Sequence, residues 1–191
     1  MRLVLASKSP RRKMILEKLG LDFDVVLSNV EEIEDENGDI EDIVKKNAVL
    51  KAEAVAKNSG DDTIVIGADT LVEFNGKVLG QPKTKDEARE MIEMLCGETH
   101  FAVTGICVLN TKTGEKIIDI SKTLLRLRAL ENYEIDDYIN SGAYCGKAGA
   151  YNITDDFAIK AIERLEGSYT NVIGLPTEKL IPILKKFGIK V

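Results

Sequence analysis

The stretch TIVIGA, residues 63–68, limits the fold more than any other part of this chain. A short run rich in β-branched side chains fits the middle of a sheet and fits little else. Other segments supply the rest of that sheet. RLVLA (2–6) reads as a short buried strand, and DFDVVL (22–27) as a second. Between them Ser9 caps a helix with Pro10 at its first position, Met14, Ile15 and Leu19 form its apolar stripe, and Gly20 ends it. A longer helix, roughly 40 to 58, follows the turn signal Asn37-Gly38 and closes at Gly60. VEFNGKVLG (72–80) is a hairpin with Asn75-Gly76 at its tip. Thr84 and Glu87 form a capping box for a helix that Gly97 closes. Two long β segments, about 100–110 and 116–128, meet at the turn TKTG. A helix over 131–142, a loop GKAGAY, an alternating strand FAIKAIERL (157–165) and a last helix from near Pro176, disturbed by Pro182, complete the chain. Helices interleave with strands early and hairpins dominate the middle, so the expected class is α/β with a mixed sheet.

Composition narrows the chemistry. At 191 residues and 44% hydrophobic, the expectation is one domain spanning 1–191, with two lobes at most. Acidic side chains outnumber basic ones, 32 to 26, which argues against a nucleic-acid-coating surface while leaving room for a local basic pocket. Cys96, Cys107 and Cys145 make no CxxC pair, so neither a disulfide framework nor a zinc knuckle is expected, and a reducing cytoplasm is the expected compartment. MRLVLASKSPRR does not read as a secretory signal, and no run approaches the ~20 apolar residues of a membrane span. His100 is the only histidine, which excludes Ser-His-Asp, Cys-His and multi-histidine metal chemistry. Its place before an apolar run suits packing at a strand start.

Four constellations remain. In LASKSPRR (5–12), Ser7 and Ser9 offer hydroxyls at a helix N-terminus, and Arg11 and Arg12 add fixed positive charge. The helix dipole favours acids in a first turn, so two arginines there point to a bound anion, against the plainer reading of a Ser-Pro start with solvated arginines. In IGADT (66–70), Asp69 follows the central strand directly, where ligand crevices of α/β sheets form. It could bind a divalent ion or take a proton from water, or simply cap a turn. In the acidic run from 31 to 42, Glu31 and Glu32 follow an apolar element and are better metal candidates than the rest, which reads as solvated loop. Lys51, among alanines on the long helix, is on its own a routine surface lysine. Lys147 stands between glycines that allow backbone to approach a ligand, or in a flexible surface loop.

Taken together and in order, LASKSPRR, VEE, IGADT, KAGAY and GLP resemble the Maf family of nucleoside triphosphate pyrophosphatases, from Leu3 to about Leu184. The resemblance implies an inosine triphosphatase-like fold, an elongated mixed sheet in two lobes around a nucleotide cleft. It implies a metal-dependent enzyme, using Mg²⁺ or Mn²⁺, that cuts a nucleoside triphosphate to a monophosphate and pyrophosphate. Ser7, Ser9, Arg11 and Arg12 would then face phosphates, Asp69 would be the general base, and Glu32, Lys51 and Lys147 would join the site, with Glu32 and Asp69 on the metal. At the three positions that discriminate the base, the uridine and thymidine type carries arginine, threonine and glutamine; here they read Arg11, Thr70 and Thr154. Gln81 stands where the family usually has a lysine, with Lys83 two positions on, and Ala143-Tyr144 replaces a usual Glu-Pro. The implied substrates are dTTP and UTP, including modified forms. The alternatives are a purine-directed inosine or xanthosine triphosphatase, or a nucleotide-binding cell-division regulator with little turnover. A homodimer is the default expectation for such a chain.

Overall fold

A computed structural model describes residues 1–191 and resolves the sheet that the strand pattern calls for. Strand β1 (Arg2–Ala6) lies between a two-residue β2 (Asp24–Val25) and β3 (Thr63–Phe74), parallel to both. β4 (Lys77–Leu79) folds back on the far end of β3 through the Asn75-Gly76 turn. β5 (Thr99–Asn110), β6 (Lys116–Leu127) and β7 (Ile162–Glu166) continue antiparallel, giving the order β2-β1-β3-β5-β6-β7 with β4 on β3. The mixed sheet is as expected.

The two largest hydrophobic cores lie against this sheet. Leu3, Leu5, Ile64 and Ile66 pack beneath helices α1 (Pro10–Lys18), α6 (Tyr169–Ile173) and α7 (Thr177–Lys186). Val72, Leu79 and Leu127 pack with α3 (Lys85–Leu95), α4 (Asn132–Asn140) and α5 (Asp156–Ala161). α2 (Ile40–Ala56) crosses the other face of the first core's strands, and there the sequence permits an unusually close approach. A Cβ at Gly67 would lie 2.2 Å from the Ala48 carbonyl oxygen, and one at Gly105 would lie 2.5 Å from that of Val44. Glycine on both strands lets the helix backbone rest on theirs.

Several expectations need correction. TIVIGA is only the first half of β3, so Asp69 lies within a twelve-residue strand, paired with Gly105, and not after its end. β1 covers one edge of β3 only as far as Gly67, and β4 takes up that edge again at Val72. The crevice that a strand end would supply is supplied instead by this gap between β1 and β4. DFDVVL contributes only Asp24 and Val25 as strand, because Val25, Val26 and Leu27 are exposed and bury no face. FAIKAIERL is not one strand: Ala158 and Ala161, three apart, turn a helical face into the second core, and pairing with β6 begins at Ile162. α6 is an element that the sequence pattern did not announce. α7 runs on through Pro182. Thr84 caps α3 as expected, but the Glu87 carboxylate accepts from Lys83 N (2.6 Å) and closes no box with Thr84.

Candidate active site

The gap in the β3 edge opens into a cleft of about 470 Å³ between the two cores. Ser7, Ser9, Arg11, Arg12, Glu32, Lys51, Asp69, Thr70 and Gln81 all line it.

α2 builds the chemical centre. Its contact with Gly67 and Gly105 places Asn47 and Lys51, four residues apart and so on one helix face, over Asp69. Lys51 Nζ donates to Asp69 Oδ1 at 2.8 Å and lies 2.8 Å from Glu32 Oε2. Asn47 Nδ2 donates to Asp69 Oδ2 at 3.0 Å. The same amide pins the preceding loop, accepting from Ile33 N (2.8 Å) and donating to Ile33 O (3.2 Å), which holds neighbouring Glu32 at the site. Lys51 is therefore no surface lysine. It is 7% exposed, and a lysine is that buried only when its charge is matched. Burial pushes the Asp69 carboxyl up, but the Lys51 ammonium, the Asn47 amide and the Arg12 guanidinium outweigh it and hold the group below its ordinary value. Asp69 is thus ionised at neutral pH. Each of its oxygens spends one lone pair on Lys51 or Asn47, and the others stay free to accept a proton or a cation.

The two arginines of the opening loop divide their work. Ser9 caps α1 as expected, accepting from Arg12 N, and Ser7 Oγ accepts from Ser9 N (3.2 Å). Arg12 is buried: Nε donates to the Gly174 carbonyl (2.7 Å), Nη1 to Ser7 Oγ (3.2 Å) and Nη2 to Thr70 Oγ1 (3.0 Å). Gly174 ends α6, so the charge that is ill-placed on α1 sits at the favourable end of a second helix. Thr104 Oγ1 spends its proton on the Asn171 carbonyl and accepts from Thr70, so a hydrogen-bond chain runs from Arg12 to α6. Arg11 is less well satisfied. Nη2 donates to the Gly146 carbonyl (3.0 Å), but Nε is buried with no acceptor. A guanidinium in the cleft lining with one protein acceptor fits an anion.

Two expected residues lie outside the cleft lining. Lys147 Nζ pairs with Asp155 Oδ1 (2.6 Å), and Thr154 Oγ1 donates to Asn152 Oδ1 (2.9 Å). Lys83, the cation nearest Gln81 in sequence, pairs with Glu34 and does not line the cleft. Nowhere do three or more His, Cys, Asp or Glu side chains gather as a metal nest. Asp69 and Glu32 are the carboxylates of the cleft lining.

The sequence profile of the family described as Maf-like protein matches residues 2–187. The chain belongs to the Maf-like family. A dTTP/UTP pyrophosphatase of Thermoanaerobacter sp. (strain X514) is 46% identical over 186 residues, covering 97% of this chain and 96% of that protein. A dTTP/UTP pyrophosphatase of Clostridium perfringens (strain SM101 / Type A) is 43% identical over the whole of both chains. Among solved structures, a HAM1 protein from Coxiella burnetii shares the fold, with a TM-score of 0.54 at 16% identity over 97% of this chain and 99% of that one.

In this Maf-like protein the residue that motif reading missed is Asn47. It is 1% exposed and makes three contacts that, beside the Lys51 bridge, tie Asp69 to the Glu32 loop. Its spacing of four from Lys51 was the available signal, since the two polar residues then share a helix face that is otherwise isoleucine, valine and alanine. Thr104 and Asn171 were equally silent, because both act only through contacts made across the sheet.

Proposed function

We propose that this protein hydrolyses nucleoside triphosphates, dTTP and UTP foremost, to the monophosphate and pyrophosphate. The observation that carries the reading is the buried Lys51 ammonium held 2.8 Å from both Asp69 and Glu32 in a cleft whose rim is the arginine loop. The full-length likeness to proteins named dTTP/UTP pyrophosphatase supports the choice of substrates.

The chain's own groups suffice for most of the chemistry. Phosphoryl transfer needs the triphosphate charge neutralised and the nucleophile aligned, more than it needs covalent help. Arg11, whose guanidinium spends one donor on the Gly146 carbonyl, and the Ser7–Ser9 loop receive phosphate oxygens. Arg12 holds that loop in shape. Asp69, ionised and fixed by Lys51 and Asn47, accepts the proton of a water attacking the α-phosphorus, and pyrophosphate leaves. Lys51 keeps the carboxylate charged until the proton arrives.

A divalent cation, Mg²⁺ or Mn²⁺, fits the donor set. Mg²⁺ is commonly held by one or two carboxylates with substrate phosphates and water completing the shell. Glu32 and Asp69 would hold it here, and when bound it would neutralise phosphate charge and polarise the bond to be cut. The cytoplasm is the compartment we propose, in keeping with three cysteines that are all unpaired.

Incubating the protein with a panel of pyrimidine and purine triphosphates and Mg²⁺ or Mn²⁺, and measuring pyrophosphate, tests the reading. Release is expected with UTP and dTTP. A folded protein that releases none from any triphosphate refutes it, and release confined to inosine or xanthosine triphosphate reassigns the substrate.

A further inference from the structure

The cleft lining is of two kinds. Serines, Arg12, Lys51 and Asp69 make one part of it polar, while Val72, Ala102, Leu125, Tyr151 and Val172 make another part largely apolar. With phosphates on the polar part, the base falls to the apolar one. Asn29, Gln81 and Asn152 bring side-chain amides to the lining, and the last, bonded to Val172 of the apolar part, is 7% exposed.

Its orientation is fixed by chemistry. Thr154 N lies 3.1 Å and Thr154 Oγ1 2.9 Å from the same terminal atom of the amide. A backbone N–H can only donate, so that atom is the carbonyl oxygen and the other is the NH₂ group. The NH₂ group has one partner, the Val172 carbonyl, at a long 3.4 Å. Its second N–H has none, and a buried donor left unpaired is costly. The backbone of the same residue is also tied down, donating to Asp155 Oδ2 at 2.9 Å, and Lys147 and Tyr138 hold that carboxylate in turn.

A fixed donor in a base pocket reads a carbonyl. Uracil and thymine carry one at position 4, where cytosine carries an amino group that would meet the Asn152 NH₂ donor to donor. The 2-carbonyl is common to all three bases and would give no discrimination. We infer that Asn152 selects uracil and thymine over cytosine by donating from Nδ2 to the 4-carbonyl, with Thr154 as the positioning residue that holds the amide in register. This rests on reading the cleft as a nucleotide site, and it gives Thr154 an indirect part in base choice although its own side chain lies outside the lining.

Binding of UMP and of CMP by calorimetry, beside kcat/KM for UTP and CTP, tests it on the full chain and two variants. The wild type should favour the uracil nucleotide by about 10- to 100-fold, the range for leaving one buried polar group unpaired. Asn152→Asp keeps the oxygen that Thr154 holds and replaces the donor with an acceptor, so the preference should vanish or reverse toward cytosine. Thr154→Val, at an exposed position, should lower the preference by about 3- to 10-fold, through KM and not kcat. A merely structural role would weaken both nucleotides alike and leave the ratio fixed. An unchanged ratio in Asn152→Asp overturns the inference, and should that variant fail to fold, an unchanged ratio in Thr154→Val does so. Equal affinity of the wild type for UMP and CMP overturns it as well. A wild type that separates UMP from CMP yet cleaves no triphosphate upholds this inference and refutes the pyrophosphatase reading.

Discussion

Replacing Lys51 with Met removes the one cation that touches Asp69. Lys51 Nζ is 2.8 Å from a carboxylate whose side chain is 6% exposed, and the side chain of Lys51 is itself only 8% exposed. Arg12 is anchored by Gly174, Ser7 and Thr70 and acts on Asp69 through its charge without bonding to it. Stripping one partner from a buried ion pair costs about 3–5 kcal/mol. The loss has a ceiling, because Asp69 can take up a proton instead. Protonating a carboxyl of ordinary pKa near 3.9 at pH 7 takes about 4 kcal/mol, at about 1.4 kcal/mol per pH unit. The pH dependence then separates this account from simple loss of packing. In the wild type the Asp69 carboxyl is held below its unfolded value, so its contribution is complete above that value and lost only as pH falls through the folded one. Between pH 5 and 7 it is flat. In the variant the folded state keeps a proton that the unfolded chain has released, so stability falls as pH rises, and the substitution should be about 3 kcal/mol milder at pH 5 than at pH 7. Urea unfolding of both proteins at the two pH values, with chelator present, measures the difference. Adding Asp69→Asn to the variant should restore most of the loss at pH 7. A cost that is equal at both pH values and unrelieved by the second substitution refutes the reasoning.

Gly67→Ala should cost roughly 3 kcal/mol or more, because its Cβ would meet the Ala48 carbonyl oxygen at 2.2 Å and lift α2 off Asp69; Gly60→Ala, with open space around it, is the control, and denaturant midpoints compare them. Burial pushes the His100 imidazole down to about 4, against Tyr151. The unfolded chain therefore binds a proton from about pH 6.5 downward that the folded one refuses, and the wild type should lose roughly 3 kcal/mol between about pH 6.5 and pH 4. His100→Phe should flatten that limb, and parallel slopes in pH-dependent unfolding would count against it.

How far the sequence spoke depended on whether a signal was local. The Ser9-Pro10 start, the Asn75-Gly76 hairpin and the Thr84 cap rest on neighbouring residues and appear where expected. Asp69 and Thr70 made β3 look finished, since polar residues seldom continue a buried strand. What keeps them in the strand is supplied from elsewhere: Lys51 and Asn47 from α2, Thr104 from β5 and Arg12 from α1. Lys51 looked like surface for the same reason, because its partners lie 18 and 19 positions away. Residues 157–161 alternate like a strand, but Phe157 stacks on Tyr138 and Ala158 and Ala161 are fully buried, and this packing chose the helix. The arginine pair was legible as an anion site, but not the different surroundings of its members, since Gly174, Ser7 and Thr70 all accept from Arg12 while Gly146 alone accepts from Arg11.

The central claim is that an ionised Asp69, fixed by Lys51 and Asn47, drives hydrolysis in the cleft. Asp69→Asn tests it most directly, because the amide keeps the shape and removes the base. Pyrophosphate release from UTP should collapse by about 100-fold or more, in the range general-base removal gives, while UMP binding by calorimetry stays close to that of the wild type. Hydrolysis at an unchanged rate would contradict the account and take Asp69 out of the reaction.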